Sequence, residues 1–328
     1  MITVTRSFQL RHGLVLIISI LLGFVVSSVV AFYQVVQVMG SSPLLFAQLV
    51  VSGVMMGGIY GLAATGLTII FGVMKIINLN HGEIITLGGF VTLWLSLYLG
   101  VEPLLVIPLS FIVLMLLGMG LQTSLFNSVI KYGLNPPVFI AFALALGMQN
   151  LMIIMWTADV RIIRTNLSAI ELSVGEVSLQ SARFIAFLLA IVLTIVMKFM
   201  LDRTMTGKAL RAISQNSEAA LLMGIDVSRV NILAYGLGSG LAAVAGALLG
   251  MVFSVSPLDG PVLTSKTIAI IVLGGMGNIV GALVAGLMLG LIESYVGYIM
   301  GSGFINAVAL LIFLVVLLVR PSGLFGER

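Results

Sequence analysis

His12 to Met74 reads HGLVLIISILLGFVVSSVVAFYQVVQVMGSSPLLFAQLVVSGVMMGGIYGLAATGLTIIFGVM, 63 consecutive residues without one Lys, Arg, Asp or Glu. A helix crosses the hydrocarbon core of a bilayer with about 20 mostly apolar residues, so this stretch suffices for two spans. The polar patch Gly40-Ser41-Ser42-Pro43 supplies the turn between them. The pattern predicts helices over Leu14 to Val35 and Phe46 to Phe71. The first run exceeds the roughly 7 to 15 residues of a secretory h-region, so despite Arg6 and Arg11 ahead of it the expectation is an uncleaved span.

The same pattern continues along the chain. Of 328 residues, 60% are hydrophobic and 8% charged, against about 25% charged in an ordinary soluble domain, which excludes a soluble enzyme and a disordered chain. Charge-poor segments follow at Ile84 to Leu99, Leu104 to Gln122, Val138 to Thr157, Phe184 to Leu201, Asn231 to Phe253, Thr267 to Asn278, Val280 to Met300 and Phe304 to Val319. The predicted fold is all-α, a polytopic membrane helical bundle of about ten transmembrane segments, forming a single domain over residues 1–328. Ile84 to Leu99 and Thr267 to Asn278 are short for a crossing, so one or two broken or re-entrant helices are expected. Such backbone survives at membrane depth only where protein or a watery cavity satisfies it.

With the N-terminus inside and ten crossings, 11 Lys and Arg residues fall inside and 4 outside (Arg161, Arg164, Arg183, Lys266), in keeping with the positive-inside rule. If Thr267 to Met300 were one crossing, the count would be 9 against 6. Ten crossings are therefore preferred, with both termini cytoplasmic. Asp159 to Ala182 then lies outside, and its Asn166-Leu167-Ser168 fits a glycosylation acceptor that chance alone explains. Asp202 to Val230 lies inside and is the most polar stretch; its interleaved apolar and polar residues predict short helices outside the bilayer.

Several chemical readings fail on residue types. Gly207-Lys208 resembles the end of a phosphate loop, but such a loop needs Gly five residues before the glycine and Ser or Thr after the Lys. Asp202 and Ala209 stand in those places. Gly236, Gly238 and Gly240, and Gly275, Gly277 and Gly281, imitate dinucleotide fingerprints but lie in apolar helical sequence, where close helix packing explains them. Small-xxx-small spacing at Gly53/Gly57/Gly61, Gly236/Gly240, Gly246/Gly250 and Gly286/Gly290 has the same reading. The only histidines are His12 and His81, there is no cysteine, and no two carboxylates are closely spaced within a span. No metal site and no enzyme activity are expected in this chain.

Lys75-Ile76-Ile77-Asn78-Leu79-Asn80-His81-Gly82-Glu83 is a polar cluster between apolar segments. Ionisable groups at membrane depth mark pathways or partners, whereas at the interface they are cheaply solvated; spacing leaves both readings open. For Glu293, with Tyr295 and Tyr298 near it, interfacial anchoring is expected. Ile85-Thr86-Leu87-Gly88-Gly89 weakly echoes Ile271-Val272-Leu273-Gly274-Gly275, as a duplicated half with broken helices in corresponding places would.

Three stretches together resemble the permease subunits of ATP-binding-cassette importers for branched-chain amino acids. They are Gly66 to Glu83, with Gly72-Val73-Met74 and Ile77 to Glu83; Gly207 to Gly224, with Gly207-Lys208-Ala209-Leu210-Arg211-Ala212, Asn216, Ala219 and Met223-Gly224-Ile225; and Leu273 to Asn278 with the tail Arg320 to Gly326. The likeness runs from about Phe46 to the C-terminus and is shared with permeases for urea and short amides. The chain departs from many relatives at Asn80, where they have a small residue.

The resemblance implies that residues 202–230 hold a cytoplasmic coupling loop, with Gly207, Ala209, Arg211, Ala212, Asn216, Ala219 and Gly224 meeting an ATPase subunit. It implies a translocation pathway at Asn78, Asn80, His81, Glu83, Gly274, Gly275 and Asn278. It further implies a second related permease subunit, two ATP-binding subunits that hold ATP and magnesium, a periplasmic substrate-binding protein and a bacterial inner-membrane location, with no cofactor in this chain and no nucleic acid. A proton-coupled secondary transporter using His81, Glu83 and Glu293 and a passive channel for urea-like solutes are the competing expectations.

Overall fold

Pro43 at the first helical position, where its missing N–H is no loss, opens the 32-residue helix α1 (Pro43–Met74). The computed structural model describes residues 42–133, 135–174, 177–320 and 322–326; the span expected over Leu14 to Val35 lies outside them. After α1 come α2 (His81–Leu99), α3 (Pro103–Leu121), continued to Val129 through a π-turn at Gln122–Phe126, and α4 (Asn135–Trp156). A β-hairpin of β1 (Glu171–Val174) and β2 (Val177–Gln180) precedes α5 (Ser181–Arg203). Two short helices follow, α6 (Met205–Gln215) and α7 (Ser217–Leu222). The chain then forms α8 (Val227–Val252), α9 (Gly260–Gly274), α10 (Ile279–Ile299) and α11 (Ile305–Val319).

Eight helices among the described residues are long and apolar enough to cross a membrane, and α9 is a shorter apolar helix. The all-α polytopic bundle is therefore as expected, with nine of the ten predicted segments present. The bounds of one need correction. The segment Thr267 to Asn278 is helical only to Gly274: α9 starts seven residues earlier, and Gly275 to Asn278 is the turn into α10. That turn also separates α9 from α10, so Thr267 to Met300 is not one crossing.

The central helices α1 and α8 are almost wholly buried, while α3, α4, α5 and α11 present side chains such as Leu105, Phe142, Ile195 and Leu318 outward. Apolar exposure of this extent suits hydrocarbon. Between buried helices there is no hydrophobic drive in a membrane, so close packing must hold them, and the glycine spacing serves it. Gly53, Gly57 and Gly61 of α1 lie against Gly290, Gly286 and Leu283 of α10; a Cβ on Gly57 would meet Leu287 Cα at 2.5 Å and Gly286 O at 2.6 Å. Gly66 of α1 and Gly238 of α8 approach each other's carbonyl oxygens in the same way.

Two helices begin inside the bundle. Lys75 ends α1 in a left-handed conformation (φ 55°), its N–H donating to Phe71 O at 2.8 Å. Ile76 to Asn80 then run back beside α1 until His81 Nε2 meets Ala63 O at 2.9 Å. Ala63 lies 11 residues before Met74, about 16 Å back along a helix, so this return carries the chain from the end of α1 well into the bundle. The chain after α8 does likewise. Val255 pairs with Arg161 in a short bridge, Ser256 to Asp259 form a turn, and α9 starts at Gly260 against Gly82. From this meeting point α2 runs towards the hairpin face and α9 towards the face carrying α6, α7 and the C-terminal tail. The sequence echo does not mark this correspondence: Ile85–Gly89 lies in the first turns of α2, whereas Ile271–Gly275 closes α9.

Candidate functional site

The start of α2 is built by Asn78. Its Oδ1 accepts from Asn80 N (3.1 Å), its backbone O accepts from His81 N (3.2 Å), and its Nδ2 donates to Tyr235 OH in α8 (3.0 Å). Asn80 Nδ2 reaches Met148 Sδ in α4 at 3.1 Å. Gly82 N donates to Thr264 Oγ1 of α9 (2.9 Å), and that hydroxyl is 3.3 Å from Leu79 O. Neither Gly82 nor Gly260 has room for a side chain: a Cβ on the first would overlap Gly260 O, and on the second the Glu83 carboxyl. Asn78, Asn80, His81 and Glu83 are all buried, while Lys75 is exposed. The polar cluster thus divides, Lys75 staying at the surface and the other four entering the bundle.

The two helix starts face one another across this cluster, so both bring the positive ends of their dipoles to one buried point. Discontinuous helices meeting at membrane depth are how transporters build solute sites. Tyr235, Thr264 and Gly260 belong to the site although the spacing did not single them out. The available signal was Pro261: a Pro directly after Asp259-Gly260 marks a helix start, which would have set α9 back to its true beginning.

Gly274, Gly275 and Asn278 are not in this cluster. They form the α9–α10 turn, where Asn278 Oδ1 accepts from Gly281 N (3.0 Å), Asn278 Nδ2 donates to Phe325 O (3.2 Å) and Leu324 N donates to Leu273 O (2.8 Å). The tail is strapped over the turn, and Gly277 touches Gly72 near the end of α1.

A second buried group corrects two expectations. Lys266, counted as an outside loop residue, lies in α9, and Glu293, expected as an interfacial anchor, is its partner. Lys266 Nζ is 2.8 Å from Glu293 Oε1 and 3.1 Å from Tyr60 OH, and Tyr60 OH donates to Glu293 Oε2 at 2.9 Å. Glu293 lies 14 residues into α10, about 21 Å from its start and six residues before its end at Ile299, so the pair sits between helices of the bundle rather than in a solvated turn. A cavity of about 180 Å³ opens between α9 and α11 beside Lys266, but the ammonium is committed to Glu293 and Tyr60.

Residues 202–230 form the expected short helices, with a different role for Arg211. Its guanidinium bonds Asp202 Oδ1 (3.2 Å) and Asp202 O (3.3 Å), and Lys198 joins the same carboxylate at 2.9 Å. Arg211 therefore ties α6 to the end of α5 while its side chain stays 49% exposed. Gly207 is buried against the Leu201 backbone, and Ala209 and Ala212 are half-buried. Asn216 caps α7 through Glu218 N and Ala219 N, both 3.0 Å. Gly224 ends the unit at φ +84°. Beside the exposed polar run Gln215 to Glu218, this unit presents Ala219, Leu221, Leu222 and Met223 to solvent, an apolar tip next to a polar edge.

A family model described as branched-chain amino acid transport system / permease component matches residues 49–320. The chain is 27% identical over 300 residues to the high-affinity branched-chain amino acid transport system permease protein BraD of Pseudomonas aeruginosa, covering 86% of this chain and 96% of that one. It is 29% identical over 303 residues to the corresponding permease protein LivH of Escherichia coli, covering 87% and 96%. To the probable permease protein LivH of Methanocaldococcus jannaschii it is 28% identical over 277 residues, covering 81% and 88%. No solved structure matches the chain.

Proposed function

The chain belongs to the branched-chain amino acid transport system permease family, and from that premise we propose that it is the membrane-spanning subunit of an ATP-driven importer that takes up branched-chain amino acids or similar small neutral solutes. The observation that carries the reading is the head-to-head meeting of α2 and α9 at a buried polar cluster. Asn78, Asn80, His81 and Glu83 serve as the solute's passage at that point, and Gly274, Gly275 and Asn278 as the hinge that links it to the tail. A binding protein delivers the solute, a second permease subunit completes the passage, and two partner subunits hydrolyse ATP with magnesium.

The apolar tip of α7 supports the coupling role. Leu221, Leu222 and Met223 are 62%, 88% and 82% exposed, and short helices with an apolar face are suited to a groove on another protein. Arg211 and Asn216 set the shape of that tip and the partner's groove receives it. The membrane is the bacterial inner membrane, with both termini and residues 202–230 on the cytoplasmic side.

The test is uptake of radiolabelled leucine, isoleucine and valine into proteoliposomes holding the complete complex with its binding protein. Uptake is expected to require ATP and both partner types, and the chain purified alone should hydrolyse none. Uptake driven by a proton gradient without ATP would replace this reading with secondary transport. Leakage of urea through the chain alone would favour a channel.

A further inference from the structure

Asn80, His81 and Glu83 each carry a buried polar atom without a partner: Asn80 Oδ1, His81 Nδ1 and Glu83 Oε2. All three are acceptors. Asn80 uses its amide nitrogen on Met148, which leaves the oxygen. His81 Nε2 faces the Ala63 carbonyl; a carbonyl only accepts, so Nε2 holds the hydrogen and the neutral ring leaves Nδ1 bare. An ionised carboxylate has acceptors alone.

Glu83 is the most informative of the three. It is 1% exposed, and its carboxyl fills the space where Gly260 lacks a side chain, one residue from Asp259. The positive ends of α2 and α9 favour carboxylates here. Even so, Glu83 keeps one buried oxygen unsatisfied near the half-buried Asp259, whose own carboxylate accepts from Ser256 N at 2.7 Å, an arrangement that a positively charged donor would complete. Among the described residues, no group of three or more His, Cys, Asp or Glu could hold a metal ion, which leaves an organic ammonium or a lone monovalent cation as the partner sought.

We propose that Glu83, at the junction of α2 and α9, receives the ammonium group of an amino-acid-like solute. An ammonium brings a charge and three N–H donors, one of which the bare Glu83 Oε2 would accept. This rests on the transport reading and adds which end of the solute the chain itself recognises. A solute with a carboxylate and no ammonium offers Glu83 no donor.

The experiment reads binding without ATP. The complete membrane complex is purified in detergent without its binding protein, and its thermal midpoint is followed against leucine, 3-methylbutylamine, 4-methylpentanoate, and sodium chloride compared with choline chloride. Leucine and the amine should raise the midpoint saturably, and 4-methylpentanoate should not. Glu83→Gln should weaken the amine response by about tenfold or more, the loss of a hydrogen bond to a charged group. If that variant is not recovered folded, Glu83→Asp carries the test, since the withdrawn carboxylate should also bind the amine more weakly.

The proposal is overturned by no saturable amine effect in the unaltered protein, by equal protection from 4-methylpentanoate, or by an undiminished amine response in the variant tested. A shift with sodium over choline that Glu83→Gln abolishes would overturn it in favour of an inorganic cation. None of these outcomes depends on the ATPase, so failure here leaves ATP-driven uptake standing, and failed uptake leaves amine binding to be read by itself.

Discussion

Removing the ammonium of Lys266 would leave Glu293 as an uncompensated carboxylate buried in the helix bundle. The two side chains are only 12% and 10% exposed, so the rules for buried pairs apply and not those for surface pairs. Breaking such a pair from one side costs about 3–5 kcal/mol, whereas replacing both members by apolar groups is often close to neutral. Lys266→Met should accordingly lower the thermal midpoint and the amount of folded protein in membranes, and Lys266→Met with Glu293→Met should recover most of that loss. A double variant no more stable than the worse single one would show that the two charges do not depend on each other. Tyr60→Phe should cost less, about 1–3 kcal/mol, because it removes one hydroxyl from a group whose two charges remain paired.

At the scale of elements, the spans were legible because charge-free runs of about 20 residues have few other uses, and the glycine spacing announced its packing role. Gly57 makes this testable. A side chain there meets the α10 backbone, which cannot move aside as a flexible side chain could. Gly57→Leu should therefore abolish recovery of folded protein, while Gly147→Ala, with nothing within 4 Å of the added atom, should be recovered at normal yield, as gel filtration in detergent would show. What was not legible follows from sequence distance. Lys266 and Glu293 stand 27 positions apart and Tyr60 and Glu293 233, so no local pattern joins them, and a Lys next to an apolar run looks like the end of a span. The depth of His81 was equally hidden, because it depends on Ile76 to Asn80 doubling back along α1. In the coupling unit, Gly224 at φ +84° holds the α7 tip in place. Gly224→Ala imposes a left-handed conformation costing roughly 1–2 kcal/mol on a residue with a Cβ, and its expected signature is weaker retention of the ATPase on purification with normal membrane abundance.

For the whole molecule, the placement of Lys266 sharpens the charge argument. With it inside the bundle, the outside set falls from 4 to 3 basic residues against 11. The alternative with a flipped C-terminal tail fails on packing, since the tail bonds the α9–α10 turn and that turn touches the end of α1, so tail and Lys75 share one face. Helices α6 and α7 share it too, because α5 crosses from the hairpin to reach them and α6 packs on α1. Orientation then reduces to which face meets the cytoplasm, and the positive-inside rule assigns the one with α6, α7 and the tail. The absence of cysteine from the sequence makes the check direct. Ser217→Cys on α7 and Arg164→Cys ahead of the hairpin are both at exposed positions and can be challenged with a membrane-impermeant maleimide. Position 164 should label in intact cells, and position 217 only after lysis. The reverse pattern would turn the whole bundle over, placing the α7 tip where no cytoplasmic ATPase can reach it and removing the physical basis for ATP-driven uptake. Labelling of both positions in intact cells would mean that α5 does not separate the two faces.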